Sequence, residues 1–312
     1  MDNETTDVTD PGASAPGSVT SSPVAKPWQK RLRRGVGPTL AMTPFFVYVF
    51  LGLGIPTIAL INLAFRNHQG KLTTSNIHLV THGVFLTGFE NSIRLALISS
   101  IIPGVLGVFL AYAVHTSRSN IGRRLITTAS GVLANFGGIN LAFIFISALG
   151  AQGLLTVWLN AIHVNPYSHG FSIYTYYGVA TVYLYFQLPL MMLVITPALA
   201  GLRPSWREAA ANMGASSWRY WRHVGVPVLM PSVLGGMLLL FGSAFAAYAT
   251  AAALTGGIIA LTPIQIGNFL NGNVIAGQEN VGYALGLGML VILAVTMILY
   301  GLVRRRASRW LQ

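Results

Sequence analysis

One acidic residue stands out among the few side chains of this sequence that could do chemistry. The stretch "RPSWREAAANMGASSWRYWRHVGVPVLMP", 203–231, holds Glu208 together with four arginines between two long apolar runs. Ser205 and Glu208 have the spacing of a capping box, in which each side chain accepts a hydrogen bond from the other residue's N–H. The spacing predicts a short helix that begins at Ser205, and Gly214 suits the left-handed position that ends such a helix.

Local physics leaves two interpretations of Glu208 open. It caps its own helix, or its carboxylate pairs with a cation on another chain. Four residues at helical spacing favour a contact surface, because they would form one small apolar face: Trp206, Ala209, Ala210 and Met213. A second short helix is expected to begin at Ser216 or Ser217 and to break before Pro227. The loop 201–230 is therefore predicted to be a compact helix pair.

The other candidate chemical groups give weaker signals. His78 and His82 have i, i+4 spacing, but no carboxylate lies nearby in sequence to complete a set, so we interpret them as solvated and expect no metal site. Cysteine is absent, which excludes disulfides and thiolate chemistry. No paired carboxylates or Ser/His/acid set occur at membrane depth, so we expect no catalytic residues and no enzyme activity. Glu90 and Arg94 suit an i, i+4 ion pair.

Several aromatic and polar side chains are candidates for a solute path. Tyr183 and Tyr185 could contact a cation through their ring faces, with packing as the alternative. Gln187 lies well inside an apolar run, where a polar side chain faces either another helix or a pathway. Tyr176 and Tyr177, nearer the end of that run, suit an aromatic belt at the membrane interface.

Transmembrane helices must position these residues. Of the 312 residues, 53% are hydrophobic and 8% are charged, whereas soluble domains carry about 25% charged residues. Because an ionised side chain at the bilayer centre costs at least ~2.5 kcal/mol, spans fit in the gaps between charged residues. These gaps predict an all-α membrane protein with six spans, near 40–64, 92–115, 125–150, 174–200, 231–254 and 281–303.

The basic residues predict the orientation of these spans. Of the 19 Lys and Arg residues, all but Arg66, Lys71 and Arg94 flank the predicted spans on one side. By the positive-inside rule, both termini and the loop 201–230 are cytoplasmic, and the net charge of +12 reflects topology rather than nucleic-acid binding. Residues 1–37, rich in Ser, Thr and Pro, are expected to form a disordered cytoplasmic tail ahead of the six-span domain, 38–312.

At the loop 201–230 the sequence resembles the permease subunits of binding-protein-dependent ABC importers. Their signature has Glu-Ala-Ala, a Gly after three residues and an aliphatic-x-aliphatic-Pro end after nine more. Here it reads Glu208-Ala209-Ala210, Gly214 and Val224-Gly225-Val226-Pro227. The likeness extends over 89–114 and 177–204. The loop 67–88, the stretch "IQIGNFLNGN" and the six-span layout look most like spermidine/putrescine-type permeases and their relatives for ferric ion, thiamine and aminoethylphosphonate.

The resemblance implies a MetI-like ABC importer permease fold and a role in forming the solute path, for a small polar or cationic solute such as a polyamine. It implies that the loop docks on a separate ATPase through the signature residues together with Trp206 and Met213. No Gly-x-x-x-x-Gly-Lys-Ser/Thr occurs, so the ATPase that uses the ATP is expected to be a separate chain, and we expect this chain to bind no cofactor. The implied partners are ABC ATPase subunits, a second permease in a heterodimer, an extracytoplasmic solute-binding protein and the lipid bilayer, but no nucleic acid.

The implied location is the bacterial cytoplasmic membrane, as a multi-pass protein. A stand-alone channel or an ion-coupled secondary transporter is the alternative function. Ion coupling uses ionisable residues inside the membrane, and the predicted spans contain almost none.

Overall fold

A computed structural model describes residues 42–272, 278 and 280–308, so the predicted tail, 1–37, lies outside the described residues. Residues 42–56 and 57–308 belong to separate compact units. The described part is helical, and its only bridge is an isolated one between Arg66 and Leu72. In chain order the helices are α1 Met42–Ala64, α2 Ser75–Val80, α3 Gly83–Thr116, α4 Asn120–Asn135, α5 Gly138–Leu149, α6 Leu154–Ala161, α7 Tyr176–Ala200, α8 Pro204–Asn212, α9 Ser217–Ala246, α10 Ala249–Thr255, α11 Thr262–Leu270 and α12 Val281–Ser308.

Within the described residues, six helices are long and apolar enough to cross a membrane. They are α1, α3, α5 with α6 over Gly138–Ala161, α7, α9, and α12 over Val281–Val303. The all-α fold with six candidate spans is therefore confirmed.

Two of these helices differ from the predicted spans. The expected third span, 125–150, is divided between α4 and α5, and the apolar stretch starts only at Gly138. α4 carries Arg123 and Arg124 near its start, but its remainder, 125–135, holds only uncharged polar groups such as Thr127 and Ser130, so a criterion based on charge does not separate that part from a span. The expected fifth span, 231–254, covers parts of two helices. α9 ends at Ala246, because the backbone at Ala247 is extended, and the rest of the expected span lies in α10.

Helix α7 has the largest buried share of the six candidate spans and packs against α3, α4 and α9. α3 and α7 approach closely at Gly107, where an added Cβ would lie 2.7 Å from the Met191 Cβ. α9 runs antiparallel to α7, since Gln187 contacts Leu240 and Tyr183 contacts Ala247. Glycines thus permit the close contacts that hold spans together where lipid supplies no hydrophobic driving force.

The segment between α9 and α12 is tied to the start of α3 by polar contacts. The backbone N–H of Thr262 donates to Ser92 Oγ at 2.9 Å, and Gln265 Nε2 donates to the Val84 carbonyl at 2.9 Å. The N–H of Thr262 lies in the first turn of α11, where helical N–H groups lack partners within their own helix. Helix α3 therefore fixes the position of α11.

We expect the substitution Ser92→Ala to loosen α11, because it leaves the buried N–H of Thr262 without an acceptor. The cost should be about 1–3 kcal/mol of stability, measured by thermal unfolding of the purified chain in detergent. The matched control is Ser100→Ala. Ser100 is also buried, but its hydroxyl donates to the Leu97 carbonyl of its own helix. Equal losses in the two variants would contradict a tie between α3 and α11.

Two π turns follow one sequence pattern, in which an aromatic residue, three others and a glycine precede an aliphatic residue and a proline. The turns are Phe50–Gly54 in α1 and Trp221–Gly225 in α9. After each turn, the aliphatic N–H donates to the carbonyl of the aromatic residue five positions earlier. A Cβ on either glycine would contact that aromatic ring, so the ring packs where the glycine leaves space.

Candidate functional site

Helix α8 of the loop 201–230 begins one residue earlier than predicted. Pro204 occupies its first turn and Arg203 is its N-cap, without a side-chain capping hydrogen bond. Ser205 therefore lies inside the helix, and the expected capping box with Glu208 is wrong. The proline explains the shift, because its fixed φ and missing N–H suit the first helical position.

The end of α8 has the predicted form. Gly214 has φ +75°, so its left-handed conformation is confirmed. The N–H of Ala215 donates to the Ala210 carbonyl and the N–H of Gly214 to the Ala211 carbonyl, both at 2.9 Å. These two bonds form a Schellman motif, which satisfies carbonyls that the helix leaves unpaired. The chain turns sharply at a defined residue, so α8 is a short helix with a fixed end.

The side chains of the predicted apolar face point in different directions. Ala210 is buried and Trp206 is half-buried, whereas Ala209 is exposed and Met213 is 81% exposed. Glu208 is also exposed, and its carboxylate makes no hydrogen bond or ion pair within the described part of the chain. The loop thus presents a carboxylate and an apolar side chain outwards, while Ala210 is buried.

The second half of the loop is continuous with the fifth candidate span. Ser216 caps α9 by accepting a hydrogen bond from the N–H of Arg219 at 3.3 Å. The helix then passes through the π turn, which contains the half-buried Val224, and continues over the exposed Val226 and Pro227. The predicted break before Pro227 is therefore wrong, because the π turn directly ahead of the proline lets the helix continue.

The three residues predicted for a solute path contact neighbouring helices. Gln187 is 0% exposed, and its Nε2 donates to the Leu240 carbonyl at 2.8 Å, while its Oε1 has no partner in the described part. Tyr183 is 1% exposed and donates to the Ala247 carbonyl at 2.9 Å. Tyr185 meets the ring of Phe145 edge to face, at a centroid distance of 5.3 Å. Their role in a path stays a prediction.

The two histidines of the loop 67–88, His78 and His82, stack on each other. The rings of His78 and His82 lie 4.2 Å apart with an interplanar angle of 20°, and Nδ1 of His82 lies 2.7 Å from the His78 carbonyl. Among the residues with described positions, no three His, Cys, Asp or Glu side chains gather in a group that could hold a metal ion. The pair itself supplies two nitrogen ligands at most.

A pocket of about 590 Å³ lies at the far end of α7 from the loop 201–230. Sequence reasoning missed this pocket, although it identified the ion pair beside it, in which Glu90 and Arg94 are 4.0 Å apart. The lining residues come from α3, from the first turn of α7 and from the connection between α10 and α11: Asn91, Arg94, Leu97, Ile98, Tyr176, Tyr177 and Ile259. Arg94, a cation at the start of an apolar run, was a signal, but the pairing of α3 with α7 cannot be read from spacing along one chain.

Residues 103–309 match the family described as "Binding-protein-dependent transport system inner membrane component". The sulfate transport system permease protein CysT of Synechococcus elongatus is 28% identical over 257 residues, which cover 80% of this chain and 87% of that protein. The thiamine transport system permease protein ThiP of Escherichia coli is 27% identical over 167 residues, which cover 54% of this chain and 30% of that protein.

A solved structure shares the fold. The crystal structure of a bacterial alginate ABC transporter, in complex with an alginate pentasaccharide-bound periplasmic protein, contains a chain that superposes with a TM-score of 0.72. The superposition covers 89% of this chain and 96% of that chain, at 17% sequence identity. The arrangement of helices is therefore shared although few residues are.

Proposed function

Because the chain belongs to the family of binding-protein-dependent transport system inner membrane components and is a permease subunit of an ABC importer, we propose that its loop 201–230 couples it to a separate ATPase. The outward carboxylate of Glu208, on a helix that ends at Gly214, supports this proposal. A carboxylate without a partner in the described part of its own chain can pair with a cation on another. Met213 and Trp218, 81% and 74% exposed, add apolar area that a groove on the ATPase would bury.

The coupling works through differential contact. An ATPase that closes on ATP and grips α8 more tightly in one state shifts the permease toward the conformation that fits that state. α9 continues from the loop into the fifth candidate span without a break, so a displacement of the loop is carried into the membrane. To transmit movement from the ATPase to the membrane, the permease needs a short helix with a defined end, here α8, and a continuous helix into the membrane, here α9.

The same proposal names the partners and the location. ATP is bound and hydrolysed by ABC ATPase subunits, and this chain binds no cofactor itself. A second permease completes the path in a heterodimer, and a solute-binding protein delivers the solute from outside. The alginate transporter structure was solved with its periplasmic protein, which supports this last partner. The excess of Lys and Arg on one side supports a cytoplasmic membrane location with cytoplasmic termini.

We propose a sulfate-type oxyanion as the solute. The alignment with the sulfate permease covers most of both chains, whereas the alignment with the thiamine permease covers less than a third of that protein. Neither name supports the polyamine that the sequence suggested. The pocket that contains Arg94 also favours an anion over a polycation, since a guanidinium repels cationic solutes.

Uptake by the reconstituted importer tests this assignment. The chain is placed in liposomes with its ATPase, its second permease and its binding protein, and uptake of radiolabelled sulfate, thiamine and spermidine is compared. We expect sulfate to accumulate only when ATP is present on the ATPase side. ATP-driven uptake of spermidine without sulfate would restore the polyamine, and uptake without any ATPase would contradict the coupling.

A further inference from the structure

The pocket beside Arg94 has the size and position of a solute site. Its volume of about 590 Å³ lies within the range of about 300–1,000 Å³ typical of small-molecule sites. It opens near the first turn of α7, whose 25 residues separate it from the loop 201–230 by about 37 Å at 1.5 Å per residue. If the loop is cytoplasmic, the pocket lies at the outer side, where solute arrives.

Arg94 is the charged group of this pocket and is available to a ligand. Its side chain is 70% exposed, and its ion pair with Glu90 is long, at 4.0 Å. Exposed pairs of this kind contribute little, so a ligand anion competes with Glu90 at small cost. A guanidinium presents paired N–H groups that match the oxygens of a tetrahedral oxyanion, and Glu90 is not among the lining residues.

Three neutral polar side chains complete the lining, those of Asn91, Tyr176 and Tyr177. The hydroxyl of Tyr176 is shielded from water and has no hydrogen-bond partner among the described residues. The hydroxyl therefore does not face the open part of the pocket, and Arg94 is the donor that a ligand there meets. Asn91 is held in place because its Nδ2 donates to the Ala260 carbonyl at 3.1 Å. The remaining wall is apolar and is formed by Leu97, Ile98 and Ile259, next to the ring of Tyr177.

We propose that this pocket binds a tetrahedral oxyanion of the sulfate class, with the Arg94 guanidinium as its donor. The proposal deepens the proposed function and rests on it for the direction of transport. The apolar wall leaves two sources of the oxyanion: inorganic sulfate, or the head group of an organic sulfonate whose chain lies against Leu97 and Ile98.

Direct binding tests the pocket without transport. Radiolabelled sulfate is titrated onto the purified importer in detergent, in the absence of binding protein and ATP. We expect Arg94→Gln to weaken binding at least about tenfold, because a hydrogen bond to a charged group is lost. Butanesulfonate separates the two sources, since tighter competition than by unlabelled sulfate indicates the organic one.

Matched controls make the result specific. Arg118→Gln removes an exposed cation at the other end of α3 and should leave binding unchanged. Glu90→Gln removes the competing carboxylate and should leave binding equal or tighter. The proposal is overturned if the wild-type importer binds no sulfate, or if Arg94→Gln binds it as the wild type does. Direct binding tests the pocket and sulfate uptake tests the substrate assignment. The two proposals can therefore fail independently and be told apart.

Discussion

Replacing Glu208 by alanine is expected to reduce ATP-driven uptake by the assembled importer at least about tenfold while the chain stays folded and inserted. The reason lies in the position of the carboxylate, which is exposed and has no partner within the described part of the chain. It does not cap α8, because the helix starts at Pro204 with Arg203 as N-cap. The Glu208→Ala variant loses a charge-assisted contact with the ATPase. Such a contact typically contributes about 1.5–3 kcal/mol of binding free energy.

Two readouts and one matched variant separate docking from folding. Uptake and ATP hydrolysis are measured in liposomes, and assembly is measured by co-purification of the ATPase with this chain. Ser205→Ala is the control, since Ser205 sits one turn from Glu208 without a capping bond, and it should keep full uptake. An equal loss in Ser205→Ala and Glu208→Ala would return Glu208 to the role of a helix cap. Full uptake in the Glu208→Ala importer would end the coupling proposal.

Gly107→Ala is expected to destabilise the chain strongly for so small a change. The added Cβ would lie 2.7 Å and 2.8 Å from the Cβ and Cγ of Met191, and 3.2 Å from the Leu188 carbonyl. Met191 is fully buried and its Cβ is fixed to the backbone of α7, so α3 and α7 must separate. Overpacking of this kind typically costs about 1–3 kcal/mol.

The measurement is the midpoint of thermal unfolding in detergent, together with the fraction of chain that remains monodisperse after heating. Gly131→Ala supplies the control. Gly131 also lies in a helix, α4, but a Cβ added there meets no atom within 4 Å, and alanine is the better helix former. Gly131→Ala should therefore be neutral or stabilising. If Gly107→Ala matched it, the contact between α3 and α7 would be looser than the structure has it.

The sequence predicted the class of fold because charge placement in a membrane protein is strongly constrained. Six apolar runs between charged residues became six candidate spans. The same criterion misplaced the third span, since Thr127 and Ser130 are polar without being charged. It also left Gln187 ambiguous, because spacing along one helix does not reveal which carbonyl, here that of Leu240, lies opposite.

The loop shows the same division between local and long-range information. Gly214 was predicted correctly because a left-handed residue is a local requirement that few residue types meet. The start of α8 was misplaced because two local signals competed, and Pro204 at the first position prevailed over Ser205 as a cap. The pocket at Arg94 was not predictable, because its walls come from three segments that are far apart in the sequence.

The π turn at Trp221–Gly225 has a consequence for the direction in which the loop faces. An α-helix advances by about 100° per residue, so one extra residue in a turn rotates everything before it relative to everything after it. The single extra residue of the π turn therefore sets the direction in which Trp218 and α8 point about the axis of the fifth candidate span. Deleting one residue between 221 and 225 would turn α8 by about 100° relative to the rest of the fifth candidate span, and it would aim the loop at a different neighbour.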